Sequence, residues 1–302
     1  MAGGSVDPRR QAAAYQLARL AAAGVRGADP AEWYARAGLS DDQPLRAPDE
    51  SVRVSPSKVD AFSRCALRWL LESCGGTAGD ALSQGVGSLV HALAYDVAAG
   101  TIDADELPVA FEQRWARLDT GTGWFSRKEH ERATAVVERL AGWLRTNPRE
   151  LVLAEEAFEV EVGRARLVGR VDRLERDADG RLVVVDLKTG RTKPPAAELD
   201  QHPQLGAYQL AVERDGFAKL PDGDARSGGA VLVQLGSGAK VAEQKQASIA
   251  DGDDPEWAER LVTETADGMA GNDFPATENR WCGICVSRRS CPVHAEGGQV
   301  TP

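Results

Sequence analysis

The run Val183-Val184-Val185-Asp186-Leu187-Lys188 constrains this chain more than any other segment. Its apolar residues, most of them β-branched, are typical of a buried strand. Side chains alternate along a strand, so Asp186 and Lys188 point to the same face. A carboxylate and an ammonium group at the end of a buried strand are unfavourable unless something compensates them. A divalent metal held by the carboxylate is one such compensation, and it leaves the lysine free to position or activate water.

The acid-any-lysine pattern is weak when taken alone. About one or two copies are expected by chance in a chain of this composition, and a second copy occurs at Glu243-Gln244-Lys245. That copy lies in a polar, alternating stretch with no apolar strand in front of it. We therefore interpret it as part of a solvated edge strand.

A second acid strengthens the first copy. Asp172 stands in Gly169-Arg170-Val171-Asp172-Arg173, on the predicted strand just before, and Asp179-Gly180 forms the turn between the two strands. Adjacent antiparallel strands can bring Asp172 and Asp186 to one place. Two carboxylates form a hard-oxygen site that suits Mg²⁺ or Mn²⁺.

A histidine precedes both acids, at His91 in Gly87-Ser88-Leu89-Val90-His91-Ala92-Leu93 on a predicted helix. A single helical histidine is more often a packed or exposed residue than a metal ligand. Its significance therefore depends on the order in which it occurs with the other motifs.

Composition sets the broad class of the protein. The chain has 302 residues, 42% of them hydrophobic and 27% charged, which fits a globular protein of one or two domains. No apolar run approaches the roughly 18 residues of a membrane span, and the N-terminus lacks a signal-peptide core, so we expect a cytoplasmic protein without membrane partners. The net charge of −10 argues against unspecific coating of DNA. Arg164 to Arg176, however, carries five arginines.

The order of predicted elements indicates an α/β fold with a central mixed sheet. Residues 1–50 are predicted to be a helical connector or tail, and residues 51–302 a single domain. Predicted helices are Gln11–Ala23, Ala31–Ala37, Pro56–Cys74, Gly87–Ala99, Asp103–Leu118, Lys128–Arg145, Glu198–Arg214 and Trp257–Met269. Predicted strands are Ala157–Val162, Ala165–Glu175, Arg181–Lys188, Ala230–Leu235 and Lys240–Gln246.

The cysteines predict a second metal site. The chain has five, an odd number that makes a disulfide framework a poor explanation. Cys282-x2-Cys285-x5-Cys291 supplies three soft ligands in a loop-like tail. A tetrahedral zinc or a cubane iron–sulfur cluster needs a fourth ligand, for which the candidates are Cys65, Cys74 and His294.

Taken in order, these motifs resemble those of the RecB-like nucleases of the PD-(D/E)XK superfamily. The resemblance covers roughly residues 51–295 and includes Gln204-x3-Tyr208 on the helix that follows the Asp186 strand. It implies that His91, Asp172 and Asp186 bind Mg²⁺ or Mn²⁺ and that Lys188 serves the hydrolytic water. It also implies that accessory residues line the site or contact the DNA: Arg170, Gln204 and Tyr208.

The cysteine pattern is similar to that of AddB-type nucleases, in which a ligand near the start of the domain joins a C-terminal triplet. This resemblance implies a [4Fe–4S] cluster, with Zn²⁺ as the alternative, held by Cys65, Cys282, Cys285 and Cys291. Such a site would attach the C-terminal tail to the first helix of the domain. Cys74 is then left over as a packed thiol.

The N-terminal segment Tyr15 to Ala37, followed by Val54-Ser-Pro-Ser-Lys58 and Arg68-Trp-Leu-Leu-Glu72, looks like the junction before the nuclease module in actinobacterial AdnAB-type helicase–nucleases. No Gly-x4-Gly-Lys-Ser/Thr phosphate loop is present. We therefore expect either an excised nuclease module or a free-standing relative, with a helicase as a possible partner. The expected activity is that of a metal-dependent DNA nuclease in repair or recombination, an exonuclease acting on single strands or ends. The alternative is an inactive nuclease fold that binds DNA within a helicase complex.

Overall fold

The computed structural model describes residues 7–32, 41–76, 81–118, 121, 123–220, 226–238 and 240–294. Within these ranges the α-helices are α1 (Pro8–Ala22), α2 (Pro56–Arg64), α3 (Ala66–Ser73), α4 (Ala81–Ala98), α5 (Leu107–Trp115), α6 (Trp124–Thr146), α7 (Pro203–Glu213) and α8 (Trp257–Ala270). The strands are β1 (Val52–Val54), β2 (Glu150–Val162), β3 (Ala165–Arg176), β4 (Leu182–Lys188), β5 (Ser227–Gln234) and β6 (Ala242–Gln246).

The strands form one mixed sheet, as the sequence predicts. Its order is β1-β3-β4-β5-β6, and β2 pairs with β3 outside this path. β2 runs antiparallel along nearly all of β3, so β1 and β4 must share the other edge of β3. β1 takes the start of that edge, at Ala165 to Leu167, and β4 takes its end, at Arg173 to Arg176. The edge between these pairings is open, and Asp172 lies in this opening.

β4 is the central strand, and it contributes to a hydrophobic core on each face of the sheet. Leu182 and Val184 belong to one core, which α2, α7 and α8 cover. Val183, Val185 and Leu187 belong to the other, which α4, α5 and α6 cover. Burial on both faces explains the continuous apolar run in the sequence. The two cores hold the end of β4, and therefore Asp186 and Lys188, in a fixed place.

The single helix predicted over Pro56–Cys74 is wrong, because the helix breaks at Cys65. Cys65 is extended, with φ −168° and ψ 109°, and separates α2 from α3. The backbone N–H of Leu67, in the first turn of α3, donates to the carbonyl of Pro275 at 3.3 Å. A contact with the C-terminal segment therefore replaces the continuing helical bond, and local helix patterns cannot predict such a contact.

Several other boundaries differ from those predicted. β1 has no counterpart among the predicted strands, since three residues carry too short a pattern. The predicted strand start at Ala157 is wrong, because β2 already begins at Glu150 with half-buried residues. α7 begins at Pro203, as a proline in the first helical position disfavours a helical residue before it. Most of the predicted helix Ala31–Ala37 lies outside the described residues, which end there at Glu32.

The N-terminal portion contains a helix, as predicted, and α1 buries none of its residues. Leu45 and Arg46 nevertheless donate backbone N–H groups to the carbonyls of Gly271 and Ala270, at 3.1 Å each. The packed body therefore begins before residue 51, and the division of the chain at that point stays a prediction. No helix within the described ranges combines the length and apolar character needed to cross a membrane.

Candidate metal centre

Asp172 and Asp186 lie where β3 and β4 separate. The two strands pair from Arg173↔Val185 to Arg176↔Leu182, so the next position of this register sets Asp172 opposite Asp186. The ladder stops there. The backbone N–H of Leu187 donates to Oδ2 of the Asp172 carboxylate at 2.6 Å. The separation of the strands thus opens a gap with an acid on each side, which is what the sequence predicts for this pair.

His91 reaches this gap from α4. Its Nδ1 lies 3.1 Å from Oδ1 of Asp172 and 3.8 Å from Oε1 of Glu155. Gly87, one turn earlier on the helix, allows α4 to approach the segment that follows β4. A Cβ at this position would lie 3.3 Å from Oγ1 of Thr189, closer than ordinary van der Waals contact. The glycine and the histidine of this motif therefore act together, one as a spacer and the other as a possible ligand.

Glu155 completes the group, although the sequence motifs do not include it. The pairs Ala154↔Arg173 and Glu156↔Val171 flank it, so the register sets Glu155 opposite Asp172. Its φ of +48° is left-handed, a conformation that is strained for a residue with a side chain, by about 1–3 kcal/mol. Among the described residues, ligand atoms of His91, Glu155 and Asp172 lie within 4.8 Å of one another, close enough to hold a metal ion.

Asp186 and Lys188 form the second half of the site. Nζ of Lys188 lies 2.7 Å from Oδ2 of Asp186, which confirms that the two side chains share a face. Asp186 is buried, and the Lys188 ammonium group is the partner of its Oδ2. The charges of Asp172 and His91 also act on this carboxylate, so it lies close to the group of His91, Glu155 and Asp172, although the 4.8 Å group does not include it. Lys188 is 33% exposed and can reach a substrate in the gap.

Gln204 of α7 bridges the two charged groups. Nζ of Lys188 donates to Oε1 of Gln204 at 2.9 Å, and Nε2 of Gln204 donates to Oδ1 of Asp186 at 3.2 Å. The Tyr208 hydroxyl, one turn further on, makes longer 3.5 Å contacts with Nε2 of Gln204 and the carbonyl of Arg170. Burial, together with the charges of Asp186 and Asp172, raises the pKa of Tyr208, so its hydroxyl stays neutral. The structure thus brings the predicted accessory residues to the site.

Without a bound metal, the surroundings of the site stabilise the protonated forms of Asp186, Glu155 and His91. Burial raises the pKa of Asp186 despite the opposing charge of Lys188. Burial also raises the pKa of Glu155, and the charge of Asp172 adds to this effect. Burial alone would lower the pKa of His91, but its hydrogen bond with Asp172 and the charge of that residue raise it. A cation that binds here must therefore displace protons.

Similarity to known proteins identifies the family. A family model described as "PD-(D/E)XK nuclease superfamily" matches residues 53–292. The chain belongs to this superfamily. Among solved structures, one entitled "Crystal structure of SSO0001" matches 93% of this chain and 96% of that chain, with 15% sequence identity and a TM-score of 0.39. A comparison with curated proteins finds no match.

Membership of the PD-(D/E)XK superfamily implies metal-dependent hydrolysis of phosphodiester bonds, and nucleic acid as the substrate. The acid-any-lysine pattern in the superfamily's name occurs at Asp186-Leu187-Lys188, beside the candidate metal centre. The other copy, Glu243-Gln244-Lys245, lies on β6, and Lys245 is 67% exposed. Glu243 instead accepts hydrogen bonds from Trp143 and Arg149, as part of a structural polar network.

An open groove of about 970 Å³ leads to the candidate metal centre. His91, Glu155 and Asp172 line it together with two exposed cationic side chains, Arg170 and Lys219. Arg170 was among the predicted accessory residues, but Lys219 belongs to no motif. Lys219 comes to the groove because it follows α7 and pairs with Glu156 at 2.6 Å, a contact that sequence spacing does not reveal.

The predicted cysteine site lies away from this groove. One cavity is lined by Cys65, Cys282, Cys285 and Cys291. His294 lines it too. Cys74 does not, and it is exposed, so the prediction that it is a packed thiol is wrong. The backbone N–H of Asn279 donates to Sγ of Cys282 at 3.3 Å. The break at Cys65 thus turns its side chain to the C-terminal triplet, as the resemblance implies.

The pH dependence of metal affinity follows from the raised pKa of His91. Metal coordination needs a neutral imidazole, so a raised pKa keeps the competing proton bound to a higher pH than in a free histidine. Below this pKa the affinity falls about tenfold per pH unit for each displaced proton. We expect Mn²⁺ to bind at least ~10-fold more weakly near pH 6 than near pH 8, by isothermal titration calorimetry. His91→Gln should flatten this dependence, and an unchanged slope would contradict the assignment.

Proposed function

We propose that this PD-(D/E)XK protein is a Mg²⁺- or Mn²⁺-dependent DNA nuclease of the RecB-like branch. It hydrolyses phosphodiester bonds in single strands or at DNA ends, as an exonuclease in repair or recombination. One observation carries the proposal: His91, Glu155 and Asp172 meet within 4.8 Å, at the point where β3 separates from the strand that bears Asp186 and Lys188. A scaffold without activity would not need this concentration of charge, which is unfavourable without a cation.

His91, Asp172 and Asp186 would hold the divalent ion, and Glu155 would add a further oxygen ligand. Carboxylate oxygens with one imidazole suit Mg²⁺ or Mn²⁺. Asp186 is buried, and the charges of Asp172 and His91 act on its carboxylate, which supports its place in this set. When bound, the ion neutralises charge on the phosphate and lowers the pKa of a water for in-line attack.

The remaining residues act on the substrate and on the water. Lys188 orients the attacking water and offsets the negative charge that develops on the phosphoryl oxygens. Gln204 holds the Lys188 ammonium group, since Nζ donates to its Oε1 at 2.9 Å. Tyr208 remains neutral and packs beside Gln204. The exposed guanidinium of Arg170 contacts a phosphate of the bound strand.

The four-cysteine cavity is proposed to hold a [4Fe–4S] cluster, as in AddB-type nucleases. Four such ligands would also suit a tetrahedral zinc ion. The preference for a cluster over Zn²⁺ rests on the likeness of the cysteine pattern to that of AddB-type nucleases. Arg68 and Arg288 line the same cavity, where their positive charges would offset the negative charge of a cluster bound by thiolates.

The likeness to AdnAB-type helicase–nucleases leads us to propose a helicase subunit or domain as a partner. With a net charge of −10 the chain attracts DNA poorly over long distances. The exposed cations of the groove, Arg170 and Lys219, act only at short range. A motor that delivers the strand to the groove would compensate for this weak attraction.

The proposed activity is tested with end-labelled single-stranded and double-stranded DNA, incubated with Mn²⁺ or with a chelator. We expect cleavage only with the metal, and faster cleavage of single strands than of blunt duplexes. Which labelled end is released first gives the polarity. Binding of DNA without any metal-dependent cleavage would instead favour an inactive DNA-binding module.

A further inference from the structure

The face of α4 that carries His91 also lines the groove beyond the candidate metal centre. Gln84, Ser88, His91 and Tyr95 recur at helical spacing and all line the groove. Tyr95 follows His91 by four residues, which places it about 6 Å further along the helix axis. That rise is on the order of the distance between a phosphate and the base of the same nucleotide. Tyr95 is therefore about one helical turn from His91, within reach of the base of a nucleotide whose phosphate lies at the candidate metal centre.

The position of Tyr95 is fixed by its neighbours on α4. Val90, Leu93 and Ala94 are buried in the core beneath the helix, with exposures of 0%, 0% and 4%. Tyr95, in contrast, is 46% exposed. The core thus fixes the orientation of the helix, and the large aromatic side chain of Tyr95 remains partly exposed at the groove.

Two cationic side chains lie in the same groove as Tyr95. Arg170 and Lys219 line the same groove beside Glu155 and Glu156, with which they form ion pairs, and the side chains of these two cations are 62% and 66% exposed. An aromatic ring with cations along one groove is the combination by which proteins bind single-stranded nucleic acid: bases stack and phosphates are neutralised. In a duplex the bases are already paired and stacked, so a base could reach Tyr95 only by leaving the helix.

We infer that Tyr95 is the stacking surface for the base of the nucleotide next to the cleaved phosphate, and so selects an unpaired strand. The inference rests on the proposed nuclease function and adds to it a residue that sets specificity. Arg170 and Lys219 hold the backbone while the base stacks on the ring. The motifs of the sequence do not include Tyr95, and no charge or hydrogen bond is required of it.

The test compares Tyr95→Ala, Tyr95→Leu and Tyr95→Phe. Loss of one base–aromatic stack corresponds to about a 5- to 150-fold loss of affinity. We expect Tyr95→Ala and Tyr95→Leu to lose affinity for a fluorescent oligothymidylate within this range, measured by anisotropy with a chelator present, and Tyr95→Phe to retain it. This arm needs no cleavage, so it separates a failure of this inference from a failure of the nuclease proposal. Equal affinity of Tyr95→Ala and wild-type protein would overturn the inference.

A second arm moves a single abasic site along an end-labelled single strand and measures Mn²⁺-dependent cleavage at each position. In the wild-type protein one position next to the scissile phosphate should raise KM by the same factor as Tyr95→Ala. In Tyr95→Ala that position should have no further effect. If the abasic site and Tyr95→Ala raise KM independently of each other, the missing base does not contact Tyr95, and the assignment is contradicted. Matching melting temperatures of the variants exclude misfolding.

Discussion

Lys188→Ala should lower the rate of Mn²⁺-dependent DNA cleavage by about 10²–10³-fold, since removal of one group that stabilises developing charge has effects of this size. Lys188 is the cation closest to Asp186, at 2.7 Å, and Gln204 holds it toward the gap. Asp186→Asn should have at least as large an effect, because it removes a proposed metal ligand while preserving the shape of the side chain. Single-turnover rates with end-labelled single strands measure both.

The second copy of the motif supplies the control. Lys245 also lies two residues after an acid, but it is exposed, 3.5 Å from Glu243 on β6. Lys245→Ala should therefore cleave at the wild-type rate. Circular dichroism spectra should be alike for all variants. Wild-type rates in Lys188→Ala, or a comparable loss in Lys245→Ala, would contradict the site assignment.

Cys65→Ala should have the largest effect on stability. The proposed cluster joins Cys65 to Cys282, closing a loop of more than 200 residues. A crosslink across a long loop stabilises the folded chain by about 5 kcal/mol, and each kcal/mol shifts Tm by about 2–4 °C at this size. We therefore expect Cys65→Ala to lower Tm by roughly 10–20 °C, by differential scanning fluorimetry of protein purified without oxygen. The brown colour and bound iron should disappear as well.

Cys74→Ala is the matched control, since Cys74 is exposed and does not line the cavity. This variant should keep the iron, the colour and the wild-type Tm. A colourless wild-type protein with one bound zinc ion would refute the iron–sulfur cluster. Zinc would then be the crosslink between Cys65 and the C-terminal cysteines. Full stability in Cys65→Ala would refute the crosslink itself.

The sequence predicts those parts of the site that depend on local pattern. Asp186 and Lys188 follow an apolar strand that is buried on both faces, and alternation alone places them side by side. Asp172 lies on the preceding strand, joined by a short turn, so antiparallel pairing brings it close. Their joint placement and the mixed sheet are confirmed by the structure. The roles of these residues in catalysis stay predictions.

The parts that the sequence did not predict depend on contacts between distant segments. Glu155 enters the site because register sets it opposite Asp172 and a left-handed backbone turns it inward. Two adjacent acids, Glu155-Glu156, in a half-buried strand are the only local signal. The break at Cys65 depends on a hydrogen bond to Pro275, more than 200 residues away. Neither effect can be derived from helical or strand periodicity.

The measurement that tests the central claim most directly follows Mn²⁺ binding and DNA cleavage in the same samples of wild-type protein and Asp172→Asn. Asp172 contacts His91 at 3.1 Å and accepts the Leu187 N–H, so it connects both halves of the site. We predict that cleavage by the wild-type protein saturates at the Mn²⁺ concentration that fills the site, counted by electron paramagnetic resonance. In Asp172→Asn, binding and cleavage should be lost together. Cleavage that persists in Asp172→Asn, or that needs no bound metal, would contradict the account.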